Sequence, residues 1–571
     1  MHSDLIYLSK KMNVMKLKKL FAIFISVSLL ASCDFMDCNE SDYYSLKEIQ
    51  GSYNRVKQFV TDVYGYLPSN FCNIDGAMLD AATDDAVHIY ESSNIKRFVN
   101  GTWSPNYTVD DQFANYYNGI HDANFYLENL TGLKFETWEN TNDYDNWMIT
   151  YPNFEYEVRF LRAYFYFELV RRYQNVPLIT KVVTQAEANA AEPASAEQIF
   201  DFIISECTEL STLLPVDYTK MPGSEYGRAT RGAALALKAR AALYAASPLF
   251  NSGNNKSKWV AAAEAAYEII GQSSALGYKL DASFSNLFGA TNTASNEVIL
   301  VRPTGTSTSF EAANFPMGVT GGKTTTCPTE NLASAFEMAT GEEFDWNNEA
   351  MSQNPYTGRD PRFYLTIVHN GMTWPAKNAV EIHEGGANGL PLTNATSTGY
   401  YLRKYVNNSI SFEAGSSSAA THHNWVLFRY AEVLLNYAEA MVNAYGDINY
   451  TTDKCGMTAL AAVNAVRGRT GVNMPALSDI LSFDEFLKRV KHERRVELAF
   501  EGHRFWDLRR WKELAESKDV YGVKITKSND EVSYKKFTLE SRKISDKLYF
   551  YPISNTELFK NSNLKQNPGW E

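Results

Sequence analysis

The sequence predicts a mainly α-helical protein that carries a long loop-rich insertion. Apolar residues recur at helical spacing on both sides of the insertion. Between about residue 281 and residue 423 that spacing is lost, and Thr304–Glu330 and Asn378–Thr398 are crowded with Thr, Ser, Gly and Pro. Hydrophobic content of 45% is ordinary for a folded chain and far from that of a disordered one.

The elements follow in chain order. Lys16, Lys18 and Lys19 precede an apolar run from Leu20 to Ala31, the pattern of a secretory signal. That run is too short for a membrane-spanning helix, which needs about 20 residues. Leu30-Ala31-Ser32-Cys33 follows, small residues before a cysteine in the manner of a bacterial lipobox, so Cys33 is the expected site of lipidation. Met12 and Met15 would serve as starts as well as Met1. The expected organisation is a signal peptide at 1–32, a lipidated tether at 33–45 and one helical domain at 46–571, interrupted by the insertion at about 281–423.

Within that domain, Leu161, Phe165 and Leu169 make one stripe of a helix over Glu157–Arg172. Gly232–Ala246 is alanine-rich, which lets neighbouring helices approach closely, and Pro248 marks its end. Further helices are expected at Val260–Ile270, at Leu427–Ala444 with Leu434, Ala438 and Met441 on one face, and through Phe483–Leu514. Paired helices in the first half are compatible with degenerate helical hairpins. A loop-rich insertion in such a scaffold is where function concentrates.

Composition narrows the function. A net charge of -12 disfavours polyanions over the surface as a whole, so no nucleic-acid partner is expected. The six cysteines include no CxxC pair and do not read as a disulfide framework. Gly318–Thr324 has Met317 where a phosphate loop needs glycine, His492-Glu493 has Val496 where a zinc helix needs histidine, and Gly415–Ala419 fails as a serine elbow. No metal, cofactor or enzymatic activity is therefore expected. Paired acids at Asp84/Asp85 and Glu342/Glu343 leave a glycosidase as the reading from another class. The densest charged stretch, Lys491–Lys512, alternates both signs beside Phe500, Phe505 and Trp506, which favours structural ion pairs over an acid/base site.

Several segments together resemble the SusD/RagB-like family of Bacteroidetes nutrient-binding lipoproteins. They are Leu79–Asp85 (LDAATDD), Phe160–Tyr164 (FLRAY), Arg359–Arg362 (RDPR), Arg429–Leu435 (RYAEVLL), Glu493–Trp511, and the C-terminal Tyr551-Pro552-Ile553 with Gln566–Trp570. The resemblance implies a mainly α fold: a single large domain of tetratricopeptide-like helical hairpins supporting a loop-rich ligand-binding face. It implies a glycan-binding protein anchored by lipid at the cell surface on the outer membrane. Its partner would be a SusC-like TonB-dependent transporter, to which it delivers oligosaccharides. Some branches take oligopeptides instead, the alternative reading. By region, the resemblance points to ligand contacts at Tyr90, Arg97, Trp103 and Tyr107, and in the insertion at Trp346 and Trp374. Trp506, Trp511 and Trp570 are assigned to packing. Sugar rings present apolar C–H faces that lie on aromatic rings, and their hydroxyls need polar partners at the edge.

Overall fold

The computed structural model describes residues 44–375, 378–416 and 420–571. The signal peptide, Cys33 and the tether through residue 43 lie outside the described residues. The chain divides into two compact units, Met1–Arg55 and Val56–Glu571. In the described part of the first, Ser45 and Glu48 form a capping box on the short helix Leu46–Gln50, and the Arg55 guanidinium lies 3.7 Å above the Tyr44 ring.

The second unit is built on helices packed in sequence order. They are α1 (Phe113–Asn129), α2 (Tyr144–Tyr173), α3 (Ala196–Leu213), α4 (Arg231–Ala246), α5 (Lys256–Ile270), α6 (Tyr430–Tyr445), α7 (Ala459–Arg467), α8 (Phe483–Glu497) and α9 (Arg504–Arg510). From α1 through α7 each packs on the next, the arrangement of stacked helical hairpins. Start signals are local: Ser195 and Gln198 box the N-terminus of α3, Thr230 caps α4, and Asn255 caps α5. The middle of α2, Phe160 to Val170, is buried on all sides because α1 and α3 flank it. The alanines of α4 allow it to sit between α3 and α5 and still reach α6.

α5 packs directly against α6 although about 160 residues separate them, so the helical array is interrupted by the insertion and then resumes. The neck is an antiparallel pair, β1 (Val298–Pro303) with β2 (Asn424–Arg429), in which Leu300 opposes Phe428 and Arg302 opposes Trp425. Phe310, Leu332, Phe336, Phe363 and Tyr400 from the insertion share one apolar core with the helices.

Three differences from the expected elements have physical causes. The helix expected from Leu427 starts at Tyr430, because the β-prone run Trp425–Phe428 pairs with β1 and Arg429 is still extended. The helix expected through Phe483–Leu514 is two, broken where Phe500 and Gly502 take positive φ of 59° and 75°. A hairpin, β3 (Asp519–Ser528) with β4 (Glu531–Ser541), was not expected; its turn places Asn529 and Asp530 at φ 48° and 71°, as a type I′ turn requires.

The charged stretch pairs across elements more than along its own helix. Arg362 contacts Glu493 at 2.6 Å and Glu497 at 2.8 Å, while Arg429 contacts Glu297, Glu497 and Glu501 at 2.6–2.7 Å. Arg467 joins Glu493 to Glu337, and Arg469 joins Glu297 to Glu497. The network ties the insertion to α7 and α8 with every member of it buried. Trp506, Trp511 and Trp570 are likewise buried, as assigned.

Candidate functional site

A cavity of about 620 Å³ opens where the helical array, the neck of the insertion and the α8–α9 break meet. Its wall combines residues 65–70, residues 108–116 leading into α1, Arg171 and Arg172 of α2, Trp425 of β2, and His503 and Trp506 beyond the break. The break is what brings Glu501 and His503 to this wall. Extending α8 straight would carry them elsewhere.

Most charges on the wall are already balanced. Arg172 meets Asp110 at 2.9 Å and also Glu168, Arg171 meets Glu168 at 2.6 Å, and Arg240 meets Glu432 at 2.6 Å. Glu501 is held by Arg429 and Lys404. Arg171 and Arg172 also lie 4.2 and 4.8 Å over the Trp506 ring. Burial, reinforced by Arg494, pushes the His503 pKa well down, so its imidazole is neutral at pH 7. Its Nδ1 accepts from Arg494 Nη2 at 3.2 Å, which puts the proton on Nε2. What remains to engage a ligand are the amides of Asn73 and Asn115 and the Arg302 guanidinium, which donates from Nη2 to the Gly65 carbonyl and has no carboxylate partner among the described residues. Such a wall suits a neutral, polyhydroxylated ligand better than an ion, whose desolvation it would not repay.

Two of the expected site residues flank this cavity together. Arg97 lies 5.3 Å over the Tyr107 ring and donates from Nε to Asn94 Oδ1 at 3.1 Å. Asn94 and Thr108 both line the cavity, and Tyr107 is 64% exposed. Tyr90 is half-buried and joins the group indirectly. Its ring lies 5.2 Å from His88, whose Nε2 is 3.0 Å from the carbonyl of Asp75, and Asp75 also lines the cavity. The Tyr90 hydroxyl donates to Lys323 O at 3.4 Å.

The other expected positions lie apart. Trp103 must be corrected: its ring is 2% exposed and enclosed by Phe98, Tyr551 and Trp570 at 4.6–5.1 Å, so it offers a ligand no face. The C-terminal segment returns to cover it, a long-range contact that the loop around Trp103 does not announce. Trp346 is half-buried against Phe344, with its indole N–H on Glu330 Oε1 at 2.7 Å. Trp374 is 4% exposed and packs edge-on to Phe315, which excludes it as an open platform; it lines a separate cavity of about 290 Å³. Conversely, Tyr66, Gln112, Arg302, Trp425 and His503 were not expected at a site. They come from distant parts of the chain with no shared motif, so only the fold assembles them.

The acid pairs are otherwise engaged. Asp84 and Asp85 are buried, bridged by Arg495, and Asp84 also takes Arg504 at 3.0 Å. Burial would raise the Asp84 pKa, but these guanidiniums outweigh it and hold it well below the usual range. Glu342 and Glu343 are exposed, and Glu343 pairs with Arg489. Glu343 lines a cavity of about 460 Å³ that Glu342 does not reach, so neither pair sets two carboxyls across one cavity as general acid/base work on a sugar ring would need. Among the described residues no cluster of His, Cys, Asp and Glu could hold a metal ion, and Cys72, Cys207, Cys327 and Cys455 are unpaired thiols.

Comparison with known proteins extends over most of the chain. The SusD family model matches residues 294–570, and a second model, described as starch-binding and associating with outer membrane, matches residues 34–243. A SusD-like protein, P2, of Formosa agariphila is 26% identical over 434 residues, covering 72% of this chain and 73% of that one. A solved SusD-like protein of Bacteroides fragilis NCTC 9343 is 26% identical, with a TM-score of 0.72 over 91% of this chain and 98% of that one. A SusD-like carbohydrate-binding protein of the same organism is 25% identical, with a TM-score of 0.70 over 90% and 100%.

Proposed function

The chain belongs to the SusD/RagB-like family, and on that premise we propose that it is a lipid-anchored, surface-exposed protein that captures oligosaccharides and hands them to a SusC-like TonB-dependent transporter. Binding is its whole activity in this reading. Residues 1–32 are removed on export, and Cys33 carries the lipid that holds the protein on the outer membrane. The observation that carries the glycan assignment is the exposed Tyr107 ring, backed by Arg97, beside a cavity in which most charges are internally paired and amides line the wall. A sugar's C–H face lies on the ring while its hydroxyls meet Asn94 and the amides within. The carbohydrate-binding character of the Bacteroides fragilis relative and the starch-binding description of the second family model support the same ligand class.

Each contact of this kind is modest, so affinity for short oligosaccharides is weak and grows with length. Tethering beside a transporter offsets the weakness through effective concentration.

Affinity electrophoresis of the purified protein against plant, host and microbial polysaccharides tests the proposal. Retardation by a glycan, lost in Tyr107→Ala and Arg97→Ala at unchanged melting temperature, supports it. Retardation that survives both substitutions removes the site. If no glycan retards the protein while oligopeptides bind in calorimetry, the peptide reading replaces it, and release of reducing ends would make it a glycosidase.

A further inference from the structure

The smaller cavity, about 290 Å³, lies inside the insertion beside its neck. It is walled by Trp374, by residues 403–408 after the short strand Tyr401–Leu402, and by residues 421–423 before β2. In a chain of net charge -12 its lining contains no Asp or Glu, yet includes Arg403 and Lys404. The two cations differ. The Lys404 ammonium is committed to Glu501 at 2.8 Å and to the Ala499 carbonyl at 2.7 Å. His423 is likewise committed, to Glu311 at 2.8 Å. Arg403 has no carboxylate partner among the described residues.

Arg403 is held in place all the same. Its Nη1 donates to the Tyr364 carbonyl and lies 3.8 Å from Met372 Sδ, and the guanidinium sits 5.9 Å from the Trp374 ring. Nε and Nη2 have no protein acceptor among the described residues. Burial lowers its pKa, the cost of keeping a guanidinium half out of water without a counter-charge. Asn407 and Asn408 add amides nearby; Asn407 Oδ1 accepts from Ser409, which leaves its Nδ2 hydrogens free, and Asn408 is exposed. A guanidinium with two free donors, flanked by amides and a ring edge, is built to receive an oxyanion bidentately.

We propose that this cavity is a second binding site, for an oxyanion borne on a sugar, either a uronate carboxylate or a sulfate ester, with Arg403 as its counter-charge. Trp374 then supplies a wall for the sugar ring, not an open platform. The sugar as carrier rests on the glycan reading above; the charge of the cavity does not.

The test is isothermal titration calorimetry at low ionic strength on the full chain in mild detergent, with galacturonate, galactose 6-sulfate, galactose and inorganic sulfate as ligands. Galacturonate or galactose 6-sulfate should bind at least tenfold more tightly than galactose, and whichever is tighter identifies the oxyanion. Arg403→Gln should lose at least tenfold of that affinity. Because Arg403 also braces the Tyr364 backbone, Asn408→Asp provides an independent check: an exposed position, a new negative charge in the lining, and the same loss expected. Equal affinity for galactose and both acidic sugars, or full binding by Asn408→Asp, would overturn the proposal. Inorganic sulfate binding as tightly as galactose 6-sulfate would overturn the sugar carrier. The larger cavity is read from polysaccharide retardation and its loss in Tyr107→Ala, and this one from monosaccharide calorimetry and its loss in Arg403→Gln, so failure of either reading is seen separately.

Discussion

Asp80 sits in the LDAATDD segment with its carboxyl 1% exposed, Oδ1 without a partner, and Oδ2 only 3.4 Å from the Asn70 amide. Burial, with Asp85 adding to it, pushes its pKa up to about 7. In the unfolded chain an aspartate ionises near its ordinary value of about 3.9. Between those two values the unfolded state gives up its proton while the folded state keeps one. Stability from this group therefore falls as pH rises through that window, by up to about 1.4 kcal/mol per unit. Asp80→Asn should thus be neutral near the bottom of the window and stabilising above its top, read from urea midpoints across pH. An advantage that does not grow with pH would show that Asp80 is solvated. A second contrast at this scale separates ligand contact from packing. Trp103→Ala should cost about 3–5 kcal/mol in urea unfolding, as removal of a buried large ring does. Tyr107→Ala should leave unfolding nearly unchanged and abolish glycan retardation. Before the fold is known the two rings look alike, both in a polar loop four residues apart. What distinguishes them is the return of Tyr551 and Trp570 onto one and not the other.

Among the elements, the helices that local spacing could reveal were legible: the buried stripe of α2, the alanines of α4 and the periodic face of α6 fall where the sequence places them. The break after α8 was less legible, since Leu498, Ala499 and Phe500 continue an apolar helical pattern and only Gly502 marks a local stop. The rest comes from elsewhere in the fold, from Arg429 and Lys404, which hold Glu501 on the far side of the bend. The β3–β4 hairpin did carry a signal, Asn529-Asp530 between strands, of the kind that favours a type I′ turn. The insertion is fastened by the buried ion network, and Glu497 is its centre, shared by Arg362, Arg429 and Arg469. Burial would raise the pKa of Glu497, but those guanidiniums prevail and hold it far below the carboxylate range; Glu493 and Glu501 are lowered in the same way. Their contribution is therefore present above the ordinary carboxylate pKa and is lost as pH falls below it, the opposite sign to Asp80. Glu497→Gln leaves buried guanidiniums uncompensated and should cost about 3–5 kcal/mol at neutral pH. It should also flatten the acid limb of the stability profile, as followed by circular dichroism; a limb as steep as the parent's would place acid sensitivity in other carboxylates.

For the molecule as a whole, the proposed anchor decides where binding can matter. No helix among the described residues is long and apolar enough to cross a membrane. In the proposal, attachment comes from lipid on Cys33, ahead of a short polar segment and the helical unit. One acyl chain gives only marginal, reversible attachment, at about 10⁴ M⁻¹, whereas several hold a protein stably. A surface of net charge -12 adds no attraction to anionic lipid. Cys33→Ser should therefore shift the protein from the outer-membrane fraction to the soluble fraction in cell fractionation. The purified variant should still bind glycan in solution, because both cavities belong to the unit that begins at Val56. Growth on the cognate glycan should nevertheless suffer, since weak sites depend on tethering beside a transporter to reach a useful local concentration. If Cys33→Ser protein still sediments with the outer membrane after a high-salt wash, attachment does not depend on that lipid. The protein would then be held by another contact, for which the transporter is the first candidate to remove.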